Sequence, residues 1–306
     1  MKTKNFYVMV ICTNLSLIGC DKEEIDEPVT PPIEKPDETI ASPSANDIIK
    51  IKTGDINIII GTINWQNITY GNGRYVAVGR SGYIAYFIDE MNWTSKQVSS
   101  NCAWNDITYV NGKYVAVSGD NSIGYSSDGV NWTAKQVIGM YLYGMTYGNE
   151  KYIAVGGSSS ISYICYSTDG VNWTTKQVSC RYLYGATYGN GKYIVVGDGR
   201  YIAYSTDGIN RTSKTVGSSS WQSTVYGNDK YVMVGNNGYI VYSTDGINWA
   251  TKIFSSNSEL WESVAYSNGK YIAVGYNGYI ASSANAVNWT INKKESVRLN
   301  GVCIYQ

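Results

Sequence analysis

One phrase governs this chain: Tyr-Gly-Asn-Gly-Lys-Tyr, then Ile or Val, then Ala-Val-Gly, returning in variant form six times. Its first tyrosine falls at Tyr70, Tyr109, Tyr147, Tyr188, Tyr226 and Tyr266, at intervals of 39, 38, 41, 38 and 40 residues. A fixed period of this length means that each unit is one supersecondary structure, which buries its apolar face only by stacking on its neighbours. No helical periodicity runs inside the unit. Four strands are expected instead, in unit one over residues 66–70, 74–79, 83–88 and 92–98. An Asn-Gly pair of the kind that favours two-residue hairpins separates the first two. The second strand, Tyr75-Val76-Ala77-Val78, is a continuous apolar run, which suits a strand covered on both faces.

Four short strands repeated at this period predict an all-β chain, a β-propeller of four-stranded antiparallel blades spanning residues 48–306. Composition agrees: all five prolines lie between Pro28 and Pro43, and glycine, tyrosine, asparagine and serine recur through the rest. The ends bear on the blade count. Leu299-Asn300-Gly301-Val302-Cys303-Ile304 matches a first strand, while residues 55–60 and 47–52 sit where outer strands belong. The expectation is a seventh, composite blade that closes the ring, with six blades as the alternative.

The N-terminal segment reads as an address. Lys2 and Lys4 precede an apolar stretch over roughly residues 6–18, long enough for a signal segment and short for a membrane span. It ends in Leu17-Ile18-Gly19-Cys20, which resembles the bacterial lipobox; the resemblance implies a lipoprotein signal peptide over residues 1–20, with Cys20 lipidated and becoming the mature N-terminus. Residues 21–47 carry nine acids against Lys22 and Lys35, and their Pro-rich character predicts an extended tether. The expected location is therefore the bacterial cell envelope, held by lipid at the outer membrane and exposed at the surface, with no other membrane contact. Lys22-Glu23-Glu24 just after the cysteine resembles a surface-export signal of some lipoproteins.

Residues 48–306 hold 20 basic and 15 acidic residues, too small an excess for a nucleic-acid-binding face. The chain has no histidine, which removes the commonest general base and metal ligand. Cys102, Cys165, Cys180 and Cys303 have no ligand-like spacing, so free thiols are expected, with no metal and no cofactor.

Between strands three and four the units read Ser126-Ser127-Asp128-Gly129-Val130-Asn131-Trp132, Ser167…Asp169…Trp173 and Ser243…Asp245…Trp249. Ser205…Asp207 ends in Arg211 instead of tryptophan, while Asp89…Trp93 and Ser283…Trp289 are degenerate versions. These corners resemble the Asp-box, or BNR repeat, of sialidase-like propellers, with one residue fewer between aspartate and tryptophan. The resemblance implies structural roles for Asp128, Asp169, Asp207 and Asp245 within the turn. It also implies that Trp132, Trp173, Trp249 and Trp289 pack against the adjacent blade.

Of 29 tyrosines, 22 occupy repeat positions. Trp65, Trp104, Trp221 and Trp261 share one slot with Leu142, Leu183 and Leu299, which reads as apolar packing, a ligand platform being the alternative. Lys96, Lys135, Lys176, Lys214 and Lys252 recur on the outermost strand, where charge keeps an exposed edge from pairing. The irregular loops are more informative. They hold Tyr141, Tyr143, Tyr182, Tyr184 and Tyr276, with Arg181 and Arg200 among their arginines. The residue after the Trp/Leu slot reads Gln66, Asn105, Tyr143, Tyr184, Gln222, Glu262 and Asn300. The candidate ligand-binding set is thus Tyr141, Tyr143, Arg181, Tyr182, Tyr184, Arg200, Gln222 and Glu262, an aromatic-and-amide surface suited to a glycan or a protein loop.

Catalytic relatives in the resembled family need an Arg-Ile-Pro signature, and no proline follows Pro43. No carboxylate pair stands out for glycosidase chemistry. The expected function is a non-catalytic, monomeric surface propeller binding a glycan or protein; a glycoside hydrolase and an assembly factor are the alternatives.

Overall fold

The computed structural model describes residues 48–53, 56–61, 65–87, 94–99, 102–137, 141–253, 260–293 and 303–305. Cys20, the segments 1–20 and 21–47, and the first-unit corner Asp89…Trp93 lie outside them.

The first unit forms β3 (Trp65–Gly71), β4 (Arg74–Gly79), β5 (Tyr83–Phe87) and β6 (Thr94–Gln97), following β1 (Ile48–Thr53) and β2 (Ile56–Gly61). β3 to β6 pair in sequence as an antiparallel sheet, and five further sheets of the same order follow along the chain. Their inner strands are Trp104–Val110, Leu142–Gly148, Leu183–Gly189, Trp221–Gly227 and Trp261–Ser267. Each inner strand lies beside the next, and all six line one central channel. The molecule is a β-propeller.

Six four-stranded blades are present, the count given as the alternative. Among the described residues the composite closing sheet has three strands: β2 lies between β1 and the strand Cys303–Tyr305. That last strand sits beside the inner strand of blade six. The composite sheet thus mixes strands from both ends of the described chain.

Within each blade, burial follows strand position. β4 and its equivalents are covered almost throughout, whereas β6 is exposed at every residue. The Asn-Gly pairs make the tight hairpin the sequence predicts: Asn72 has φ 46° and Gly73 φ 71°, the left-handed pair that matches strand twist. Trp65, Trp104, Trp221, Trp261, Leu142 and Leu183 are all at most 1% exposed, so the shared slot is core and no ligand platform.

Neighbouring blades are joined by recurrent polar contacts. The Tyr114, Tyr193, Tyr231 and Tyr271 hydroxyls donate to the carbonyls of Gly71, Gly148, Gly189 and Gly227 in the preceding blade. Tyr152 donates likewise to Val110 O at 3.1 Å, and burial pushes its phenol up to about 12. Lys113, Lys151 and Lys192 reach forward to the carbonyls of Asp169, Asp207 and Asp245 at 2.6, 2.7 and 3.0 Å. The outer-strand lysines do more than guard an edge. Lys214 Nζ donates to Ile247 O at 2.7 Å, and Lys176 Nζ to Asn210 Oδ1 at 3.1 Å, each in the next blade's corner.

The Ser-x-Asp-Gly corners are closed hydrogen-bonded units. Asp128 Oδ1 accepts from Val130 N at 2.9 Å and Asn131 N at 2.8 Å, while Oδ2 accepts from Asn131 Nδ2 at 2.8 Å. Ser126 Oγ accepts from Gly129 N at 2.9 Å. Trp132 lies against Tyr114 of its own blade, centroids 6.3 Å apart, as Trp173 lies against Tyr152. The indole also packs against a cluster that includes Val76, Val78 and Ile84 of the preceding blade, as Trp289 packs against one that includes Val225 and Val232 of blade five. Trp132 Nε1 donates to Gly129 O at 3.0 Å. Where Arg211 replaces tryptophan, its guanidinium takes over that closure and donates to Ile209 O at 2.9 Å.

Backbone N–H donors hold Asp128, Asp169, Asp207 and Asp245 well below the usual carboxylate range. A carboxylate whose folded pKa is depressed stabilises above its unfolded value, about 3.9, and that contribution is lost as pH falls below it. Blade six supplies its own control, because Asn285 Oδ1 accepts from Val287 N and Asn288 N at 2.9 Å without titrating. Asp245→Asn is therefore expected to fold at pH 7 and to flatten the fall in melting temperature between pH 5 and pH 2. An unaltered acid slope would exclude this role.

Candidate functional site

The inner strands surround a channel of about 620 Å³ whose wall is built from the same positions in every blade. Each inner strand breaks register after its first residue: Trp65 pairs with Gly79, but Asn67 pairs with Val78, leaving Gln66 outside the ladder. The same bulge falls at Asn105, Tyr143, Tyr184, Gln222 and Glu262. A bulged residue is unpaired and its side chain is re-aimed. All six face the channel. They form a rim at the end of the channel nearest the loops that join one blade to the next.

Two blades differ from the rest. Blades three and four begin Tyr141-Leu142-Tyr143-Gly144 and Tyr182-Leu183-Tyr184-Gly185. The buried leucine anchors each strand while the flanking tyrosines stay at the surface. Gly144 allows the close approach of these blades, since a Cβ there would stand 2.5 Å from Tyr184 O.

The four tyrosines consequently converge. Tyr143 lies edge-on to Tyr184 with centroids 5.6 Å apart and edge-on to Tyr182 at 6.2 Å. Tyr182 and Tyr184 are nearly parallel at 5.9 Å, and Tyr141 lies 6.4 Å from Tyr143. Tyr141 is 53% exposed, standing out among the described large apolar side chains. The remaining three are half-buried. Burial raises the Tyr143 phenol. Burial also pushes Tyr184 up to about 12, helped by the nearby charges of Asp198 and Glu262. The Tyr143 and Tyr184 phenols are neutral and hydrogen-bonding at any physiological pH.

Asp198 is fixed beside them: its backbone N–H donates to Tyr182 O at 2.9 Å and its carboxylate accepts from Ser220 Oγ at 2.5 Å. Gln222 Nε2 donates to Asn236 Oδ1 at 3.2 Å, and Asn105 Nδ2 donates to Leu142 O at 2.7 Å. Arg181 and Arg200 stand apart. Both are exposed and neither lines the channel.

Deeper in the channel is Asp106, which the sequence does not single out. It accepts from Asn67 Nδ2 of blade one, from Ile107 N at 2.8 Å and from Met145 N of blade three at 2.6 Å. Burial pushes its carboxyl up to about 7 against those three donors. It ties three inner strands together, a structural use of the charge. Cys102, Cys165 and Cys180 are free thiols. No cluster among the described residues could hold a metal ion.

No family model and no curated protein matches this sequence. Solved structures do. YCF48 bound to D1 peptide is 15% identical, with 87% of this chain and 99% of that one aligned at a TM-score of 0.62. Virginiamycin B lyase from Staphylococcus aureus is 12% identical over 78% of this chain and 92% of its own, at 0.67. YCF48 from Cyanidioschyzon merolae is 13% identical over 78% and 93%, at 0.57. What is shared is the propeller. At these identities the likeness extends to the fold alone, and function must be argued from the channel rim.

Proposed function

We propose that this chain is a non-catalytic, surface-anchored propeller that binds a protein or glycan partner at the rim of its channel. The observation that carries the reading is the convergence of Tyr141, Tyr143, Tyr182 and Tyr184 on one side of the mouth. Aromatic side chains with few rotatable bonds and a polar tip supply contact area at small entropic cost, the character of recognition surfaces. The other rim positions, Gln66, Asn105 and Gln222, add amides that bond equally to peptide groups or sugar hydroxyls. A propeller bound to a peptide among the structural neighbours supports a protein partner. Attachment rests on the Leu-Ile-Gly-Cys20 sequence and the acidic stretch behind it.

One experiment addresses both parts. Cells displaying the full chain are probed with peptide and oligosaccharide arrays. Tyr143→Ala with Tyr184→Ala is expected to reduce retention at least about tenfold, the scale of losing two aromatic anchors. Cys20→Ala is expected to move the protein from membranes to the soluble fraction with retention intact. An array ligand held equally well by the alanine pair would refute the rim as the site.

A further inference from the structure

The chain enters the propeller on the same face as the tyrosine rim. Every inner strand begins at that rim, and β3 starts at Trp65, four residues after β2 ends at Gly61. Four residues span at most about 14 Å, so the end of β2 stands on the rim side. β1 runs antiparallel to β2, with Ile48 paired to Gly61. The chain ahead of Ile48 therefore joins the composite sheet on the loop face.

The sequence that leads to it is chemically unlike the blades. It holds all five prolines, Pro28, Pro31, Pro32, Pro36 and Pro43, with Val29, Ile33 and Ile40 among them. Proline-rich segments favour an extended helix without internal hydrogen bonds, and they dock on aromatic-lined surfaces at small entropic cost. The rim is such a surface. Tyr141 is 53% exposed, and planes inclined at 38°, 61° and 68° present ring faces and edges in several directions to pyrrolidine rings. In that conformation the run from Pro28 to Pro43 is about 45 Å long, comparable with the diameter of a domain of about 260 residues. Its reach covers the loop face.

Charge favours the same pairing. Residues 21–47 carry nine acids against two lysines, and Glu34, Asp37 and Glu38 fall inside the proline run. On the propeller, exposed Arg181 directly precedes Tyr182. Exposed Arg200 lies in the loop whose Asp198 N–H donates to Tyr182 O. The carboxylates of the mouth and channel are internally engaged: Asp198 accepts from Ser220 Oγ, Asp106 from three donors, and Glu262 is engaged as well.

We propose that the surface formed by Tyr141, Tyr143, Tyr182 and Tyr184, flanked by Arg181 and Arg200, receives the chain's own proline-rich segment over residues 28–43. An outside partner then binds by displacing it, so the tether is a resident competitor as well as an attachment. Self-docking goes beyond the recognition reading above and does not require a lipid on Cys20.

The test reads the accessibility of Tyr141 in the full chain, as its iodination rate followed by mass spectrometry. Tyr147, at the far end of the strand that follows Tyr141, is the internal reference. The comparison chain carries Pro28→Ser, Pro31→Ser, Pro32→Ser, Pro36→Ser and Pro43→Ser, which keeps length and charge. A segment joined by a short linker has an effective concentration on the order of millimolar, so a dissociation constant of about 0.2 mM already covers the rim most of the time. Tyr141 is therefore expected to react at least about fivefold faster in the serine chain, with Tyr147 unchanged. Arg181→Gln with Arg200→Gln in the parent should speed Tyr141 about twofold or more. Dilution of the parent by about a hundredfold should leave its slow rate unchanged, because docking within one chain is independent of concentration.

Equal Tyr141 rates in the parent and the serine chain would overturn the proposal. A parent rate that rises on dilution would overturn it too, since the occupant would then come from a second copy. An unchanged rate in the glutamine pair would strike the arginines from the docking surface. If the rates are equal yet an array ligand is lost in Tyr143→Ala with Tyr184→Ala, the rim remains a recognition site and self-docking is refuted. If Tyr141 is shielded in the parent and no array ligand is held by the serine chain, self-docking stands and recognition of an outside partner falls.

Discussion

Trp221→Ala is expected to lower stability by about 3–5 kcal/mol, the usual range for deleting a fully buried large aromatic side chain. Trp221 is 0% exposed, its indole donates to Val216 O at 3.1 Å, and its ring meets Tyr239 edge-on at 6.2 Å. Truncation leaves a cavity between blades four and five, whose packing includes Ile194, Val196 and Ile202 from one side and Tyr231 from the other. Trp221→Leu should cost well under half as much. Blades three and four already use Leu142 and Leu183 in the same slot, both at most 1% exposed, so the architecture accepts the shape. The comparison is read from melting temperature and urea midpoints. Equal losses for alanine and leucine would contradict an apolar slot, and no loss for alanine would contradict its burial.

The second large effect comes from a residue with no side chain. A Cβ at Gly189 would lie 2.0 Å from Cγ and 2.6 Å from Cβ of Tyr226 in the next blade. Those atoms are the root of the tyrosine and cannot swing clear. Gly189→Ala is thus expected to destabilise by about 1–3 kcal/mol, the cost of overpacking. It also displaces the carbonyl that accepts from the Tyr231 hydroxyl. Combining it with Tyr226→Gly removes both the Cγ and the Cβ that clash, so the double variant should be more stable than the sum of the single losses. Strict additivity would exclude the contact as the cause.

The repeat made most of the fold legible. The second strand of unit one is expected over residues 74–79 and observed over Arg74–Gly79, because its ends are marked by the Asn-Gly turn and a glycine. The same logic reaches less far at the chain ends, where the described residues form a three-stranded composite sheet beside six four-stranded blades. Lys176 and Lys214 read as edge charges because a single unit does not reveal that the next blade's corner stands within their reach. For the same reason the spacing does not reveal that Trp132 leans on Tyr114 of its own blade as well as on the cluster shared with the preceding one.

At the rim, the loop residues are legible but their directions are not. Tyr141, Tyr143, Tyr182 and Tyr184 are visible as tyrosines outside the repeat, and the structure draws them together. Arg181 adjoins Tyr182 in sequence, yet its side chain is exposed and does not line the channel. Asp106 escapes notice because asparagine, glycine and serine fill its position in other blades. Only the register brings Asn67, Ile107 and Met145 around it.

The register break beginning each inner strand separates two demands that proteins usually have to reconcile. Gln66, Asn105, Tyr143, Tyr184, Gln222 and Glu262 stand outside backbone pairing while Trp65, Trp104, Leu142, Leu183, Trp221 and Trp261 beside them hold the blades. Chemistry at the mouth is thereby free to drift, one position at a time, without loosening the wheel. Six such positions, each already occupied by amide, phenol or acid, amount to a rewritable alphabet on an invariant frame.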